Sequence, residues 1–296
     1  METTPSAPHQ SFLKLIINMV FSAFFGSLLQ QVQSVSLVGK SLSQDNLLDV
    51  SGTIAQAQGI VAKPDGKMFV LSKVDSGGSS VNRVLYAFSG STAWDASSMT
   101  HTATSSQLNK LAGDADTGFT DITSEDGINW YGVIDNNSIY HYQGTTAWDI
   151  TTISSTIVGS YSVSGQGGSE LGLCVSGNKL YYTNNGTTAA RRLRCLDISS
   201  GLSSATEIYD IDINPTRPQA VFVSSDGGTA FITDTSNRAI YQYSIDSSAG
   251  TATREVTIDT TLFTPSITNP RGVDIEGDKI ALADYGNSNI TIFSVV

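Results

Sequence analysis

From about residue 57 onward, apolar and polar side chains alternate in short runs, and no stretch there repeats on the helical period. A period of two is the signature of strands with one buried face. The clearest runs are VLYAF at 84–88, SIYHY at 138–142, RLRCL at 192–196, AIYQY at 239–243 and NITIF at 289–293. Each follows a two-strand phrase: GIVAKPDGKMFVLS, GFTDITSEDGINWYGVID, LGLCVSGNKLYYTN, QAVFVSSDGGTAFITD and RGVDIEGDKIALAD. All five phrases turn at a glycine, namely Gly66, Gly127, Gly177, Gly227 and Gly277. The last four lie 50 residues apart; the first interval is 61, its surplus falling in residues 105–117. Asp-Gly and Gly-Asn pairs supply positive φ at low steric cost, as tight hairpins require. A fourth strand follows in most repeats, as at residues 155–162 and 254–259.

Four strands per repeat, repeated five times with no helix between, predict an all-β fold: a five-bladed β-propeller of four-stranded blades. Single hairpins would be marginal, whereas blades packed in a ring bury both faces. A flat solenoid is the alternative. The chain stops after NITIFSVV, with nothing left to serve as the last fourth strand. Residues 36–41, SLVGKS, resemble residues 156–161, TIVGSY, in the second repeat. Residues 34–39 are therefore expected to pair with the strand at 289–295, closing the ring and removing an open sheet edge. This divides the chain into a tail and helix at 1–33 and a propeller at 34–296.

Residues 11–31, SFLKLIINMVFSAFFGSLLQQ, break the pattern with large apolar residues on all sides. They predict a helix of roughly 31 Å, long enough for a bilayer core. Lys14 and Asn18 interrupt it, and residues 1–10 hold no Lys or Arg to orient insertion. Such a helix needs cover from somewhere. Phe12, Leu13, Ile16, Ile17, Val20, Phe21, Phe24, Phe25 and Leu28 are the expected assembly or anchor residues. Three covers are open: other copies or a socket in a larger particle, a membrane, or the propeller's own flank. Because the blades leave no internal vacancy, the helix is expected to project outward.

Charge narrows the partners. A net charge of −11 repels nucleic acid, whose binding depends on Lys and Arg displacing counterions. Arg191, Arg192 and Arg194 form the one dense basic cluster, read as a solvated strand end or an anion patch. About a quarter of the chain is Ser and Thr, which suits pleated strands and turns. Cys174 and Cys195 fall on the first and third strands of one repeat, so they are expected about 10 Å apart and unbridged. His9, His101 and His141 show no metal-ligand spacing.

Candidate chemistry is sparse. There is no HExxH, no GxSxG elbow and no phosphate-binding loop. Asp114 with Asp116, and Asp210 with Asp212, pair carboxylates at i, i+2, but a calcium loop needs further oxygens at set positions. Asp121, Glu170, Gln219 and Asp274 stand near the starts of inner strands, at positions that do not coincide between repeats. The expectation is a protein that is not an enzyme and carries no metal or other cofactor.

Two resemblances add to this. NPRGVDIEGDKIALADYGNSNITIF and RPQAVFVSSDGGTAFITDTSNRAIYQYS resemble NHL-type and lactonase-like propeller repeats. That likeness implies a propeller and, in its lactonase branch, a metal held in the axial channel by acidic and Asn side chains. The first two repeats, through Thr92-Ala93-Trp94-Asp95 and Thr146-Ala147-Trp148-Asp149, resemble propeller repeats of tailed-phage virion proteins. That likeness implies assembly or attachment. Kelch and WD repeats are set aside, since their Gly-Gly and Gly-His signatures do not recur here. Residues 224–231 resemble the Asp-box turn of sialidases, a structural hairpin. The expected function is a non-catalytic virion structural or attachment protein displayed on the particle surface, joined by its helix to other virion proteins or copies of itself. The alternative is a membrane-anchored propeller at the cell surface with ligand-binding or lactonase-like activity.

Overall fold

The computed structural model describes residues 36–54, 56–74, 81–111, 118–134, 138–163, 171–184 and 191–296. Among them, β1 (Leu42–Asp49) comes first in the chain and is used last in the fold. The first blade is β2 (Ala57–Ala62), β3 (Met68–Val74), β4 (Val81–Ser89) and β5 (Thr100–Thr104). The second is β6 (Phe119–Thr123), β7 (Asn129–Ile134), β8 (Ser138–Gln143) and β9 (Gly159–Ser162). The third holds β10 (Leu173–Ser176), β11 (Lys179–Asn184), β12 (Arg191–Asp197) and β13 (Thr206–Ile213). The fourth holds β14 (Pro218–Val223), β15 (Thr229–Asp234), β16 (Ala239–Asp246) and β17 (Thr251–Asp259). In the fifth, β18 (Pro270–Glu276), β19 (Lys279–Asp284) and β20 (Asn289–Val295) are completed by β1.

All five alternating runs lie within the third strands β4, β8, β12, β16 and β20. The five turn glycines adopt φ between 55° and 79°. Inner strands touch in cyclic order, β2 to β6, β10, β14, β18 and back to β2. The core is accordingly five wedges, each filled from two neighbouring blades. Val61, Phe69 and Leu71 of the first blade meet Phe119, Ile122 and Trp130 of the second, for example. Leu108, in the surplus connection, is buried in that same wedge.

Ring closure by an N-terminal strand is present, but its position corrects the expectation. The closing strand is Leu42–Asp49, paired antiparallel with Asn289–Val295, and not residues 34–39. Residues 36–40 instead form a turn, with Lys40 N–H donating to Leu37 O at 3.1 Å. Leu37 is buried between the fourth and fifth blades, and its N–H donates to Gln242 Oε1 at 2.6 Å. The sequence likeness was sound and the element wrong: Val158, just before β9, is 56% exposed, and its counterpart Val38 is 57% exposed. The first phrase ends just before its fourth strand, whereas the second enters β9 with Gly159, Ser160 and Tyr161.

The helix expected at 11–31, with all nine assembly or anchor residues, lies outside the described residues. Among the described residues, no helix is long and apolar enough to cross a membrane.

Candidate functional site

The five inner-strand hairpins converge on one end of the axial channel, where they enclose a cavity of about 400 Å³. Its wall is built from the last residues of β2, β6, β10, β14 and β18, with Trp148 at the side. Aromatic surface comes from Phe222 and Trp148, and charge from Lys63, Glu125, Asp274 and Glu276. Lys63 Nζ sits 5.1 Å from the centroid of the Trp148 ring and 3.3 Å from Asp65.

Deeper in, Asp121 and Asp274 perform one structural task twice. Asp121 Oδ1 accepts from Ile122 N–H at 2.9 Å, and Oδ2 accepts from Leu173 N–H of the next blade at 2.8 Å. Asp274 Oδ1 accepts from Ile275 N–H at 2.9 Å, and Oδ2 from Ala62 N–H of the next blade at 2.6 Å. Both oxygens of each carboxylate are thus taken by backbone donors, and each Asp ties its inner strand to the neighbour's. Burial, opposed by these hydrogen bonds, pushes the Asp274 carboxyl up to about 7. It raises Asp121 well above the carboxylate range, with a smaller push from the Asp274 charge. Half-burial alone raises Glu276.

Other inner-strand side chains join the same ring of ties. Thr123 Oγ1 accepts from Val175 N–H at 3.3 Å, and Glu125 Oε2 from Gly177 N–H at 2.6 Å. Cys174 Sγ accepts from Val223 N–H at 3.3 Å. Gln58, oriented with its nitrogen 2.6 Å from Phe119 O and its oxygen 3.0 Å from Arg271 Nη1, links three successive blades.

The remaining sequence candidates resolve into structure. Arg192 and Arg194 stand opposite Asp212 and Asp210 across the β12–β13 ladder. Arg192 Nη1 lies 3.2 Å from Asp212 Oδ1, and Arg194 Nη2 lies 3.1 Å from Asp210 Oδ2. Two members of the basic cluster, Arg192 and Arg194, and the carboxylate pair are therefore each other's partners, while Arg191 stands opposite Ile213. Gln219 is buried, with Nε2 donating to Pro218 O at 3.3 Å. Glu170, Asp114, Asp116 and His9 lie outside the described residues. His101 and His141 sit on different blades, the latter 2.9 Å from Asn129 Oδ1. Cys174 and Cys195 are buried free thiols, with Tyr181 between them in register. Among the described residues, no group of three or more His, Cys, Asp or Glu is placed to hold a metal ion.

The Trp-Asp phrases form a lock on the hairpin turn of their own blade. Trp94 and Trp148 adopt φ of 61° and 63°. Trp148 N–H donates to Gly127 O at 3.0 Å. Asp95 and Asp149 then cap single 3-10 turns by accepting from Ser97 and Thr151 N–H. Sequence reasoning missed Phe222, Glu276 and Trp148 as channel residues. The usable signal was the turn glycines: whatever precedes them shares one rim once the hairpins share one end.

No protein-family model matches the chain, and no curated protein matches it by sequence. Solved structures are similar to it only at low values. It is similar to a chain of the mitotic checkpoint complex at a TM-score of 0.49 and 11% identity, over 88% of this chain and 96% of that one. A luciferin-regenerating enzyme gives 0.45 and 9%, over 85% and 95%. A protein assigned provisionally as a 6-phosphogluconolactonase, from Bacteroides uniformis, gives 0.42 and 12%, over 79% and 66%. At such values no function passes from these proteins to this chain.

Proposed function

We propose that this protein is a non-catalytic, surface-displayed binding module, and that it serves as a virion structural or attachment component. The observation that carries the first half is the use made of the channel carboxylates. In Asp121 and Asp274 every carboxylate oxygen accepts a backbone N–H, and one of each pair comes from the next blade. Carboxylates engaged this way tie each blade to the next, and that structural use supports a non-catalytic reading of Asp121 and Asp274. The second half is supported by the paired phrases at Trp94-Asp95 and Trp148-Asp149, which resemble virion propeller repeats.

The test is mass spectrometry and immunogold labelling of particles purified from cultures of the protein's source, beside a lactone-hydrolysis assay with and without added calcium. Labelled particles and no calcium-dependent hydrolysis are expected. Recovery in a detergent-soluble membrane fraction together with calcium-dependent hydrolysis would replace this reading with the membrane-anchored hydrolase.

A further inference from the structure

We infer that the hairpin-end mouth of the axial channel binds a small organic cation, an ammonium or guanidinium group on an aliphatic stem, against Glu276 and the rings of Trp148 and Phe222. This deepens the reading of the propeller as a binding module, and it holds or fails on the isolated chain wherever that chain is displayed.

Shape comes first. The cavity of about 400 Å³ belongs to the size range of small-molecule pockets and far exceeds what a bare metal ion fills. All five blades contribute to it, so its walls are set by the whole ring and not by one loop.

Charge comes next. Three carboxylates line the cavity, those of Glu125, Asp274 and Glu276. Glu125 is tied to Gly177 N–H and Asp274 to two backbone donors. Glu276 is half-buried on this wall, and no hydrogen bond or ion pair to it occurs among the described residues. A desolvated carboxylate gains from a cation placed beside it. Lys63 is the one Lys or Arg on the wall, and it is directed to Asp65.

Aromatic chemistry decides the kind of cation. Phe222 offers ring surface on the fourth blade and Trp148 on the second, the latter stacked on Phe69 at 5.6 Å, and aromatic faces attract organic cations. The Trp148 indole carries the chain's own Lys63 ammonium at 5.1 Å, so a ligand cation meets that ring only by taking the place of Lys63, which keeps Asp65 as its partner. A hydrated metal ion has no use for such surface, whereas an alkylguanidinium matches both ring and carboxylate.

The test is a titration of the full chain with butylguanidinium chloride, followed by the Trp148 indole N–H signal in 1H–15N spectra. Butylurea, the uncharged isostere, and calcium chloride are run alongside at matched ionic strength. Saturable binding of butylguanidinium at about millimolar affinity is expected, as suits a fragment of this size. Glu276→Gln should weaken it roughly fivefold, the effect of losing one partly exposed charge pair. Glu207→Gln, on β13 and away from the cavity, should leave it unchanged. Equal shifts with butylurea would overturn the inference. So would an unchanged affinity in folded Glu276→Gln protein, or a response to calcium alone.

Discussion

Asp274 shows how one side chain links position to energetics. Its ordinary value is 3.8, and burial lifts it to about 7 in the fold. The folded protein therefore prefers the protonated form. That preference contributes fully below about pH 4 and is lost as pH rises through about 7. Asp121 and Glu276 are also raised and act in the same direction. Urea unfolding at pH 5 and pH 8 should show the wild type losing stability with pH and Asp274→Asn losing visibly less. An identical pH dependence in the two would contradict the burial assigned to this group. Glycine offers a second comparison at this scale. Gly177, at φ 55°, faces open space, so Gly177→Ala should cost about 1 kcal/mol for the left-handed backbone alone. Gly127, at φ 71°, lies against the backbone nitrogen and ring of Trp148, and an added Cβ would overlap both. Gly127→Ala should cost clearly more, on the order of 2–3 kcal/mol. Thermal or chemical denaturation of the two variants compares them directly.

At the scale of elements, strand order controls what neighbouring side chains can become. Cys174, Tyr181 and Cys195 follow one another across β10, β11 and β12, so a whole strand separates the thiols. Burial raises both, Cys195 to about 11. Thiol labelling at neutral pH should therefore find no fast-reacting cysteine in the native protein and two after denaturation, with or without prior reduction. A reductant-dependent count would mean the strands are ordered differently. The β12–β13 ladder makes the complementary point with charge. Arg192, Arg194, Asp210 and Asp212 form a partly exposed cross-strand network. Exposed pairs contribute at most about 1 kcal/mol each. Arg192→Ala should accordingly lower stability only slightly and leave no free anion site, which a phosphate titration checks.

For the whole molecule, closure is the decisive contact. β1 supplies the outer strand of the fifth blade through seven paired positions, from Leu42 with Val295 to Asp49 with Asn289. Leu48 lies in the wedge between that blade and the first. A chain beginning at residue 36 keeps this strand and the buried Leu37, and should unfold at a midpoint close to that of the full chain. A chain beginning at residue 50 exposes the edge of β20, and open edges recruit other strands. It should melt earlier and self-associate, as size-exclusion chromatography would show. Equal behaviour of the two truncations would mean that closure contributes little.

Much of this protein was legible in its sequence, because repeated local chemistry is a local property. Glycines with positive φ at fixed intervals, and alternating runs such as AIYQY and NITIF, prescribe hairpins and third strands wherever they occur. A missing fourth strand at one end of the chain likewise requires a donor from the other. What the alternation could not say is which of two adjoining segments does the pairing. SLVGKS and LSQDNLLD are both plausible strands, and the choice fell to Leu37, which fills the wedge between two blades and leaves β1 to follow. The candidate site was less legible still. Asp121 lies six residues before its turn glycine and Asp274 three before its own, since the hairpins differ in length, so their equivalence shows only in the matching backbone donors they accept. Glu276, Phe222 and Trp148 come from three blades, and only closing the ring brings them to one rim. Local pattern specifies strands and turns through backbone geometry and one-sided burial, whereas a site shared by five blades exists only in the tertiary structure.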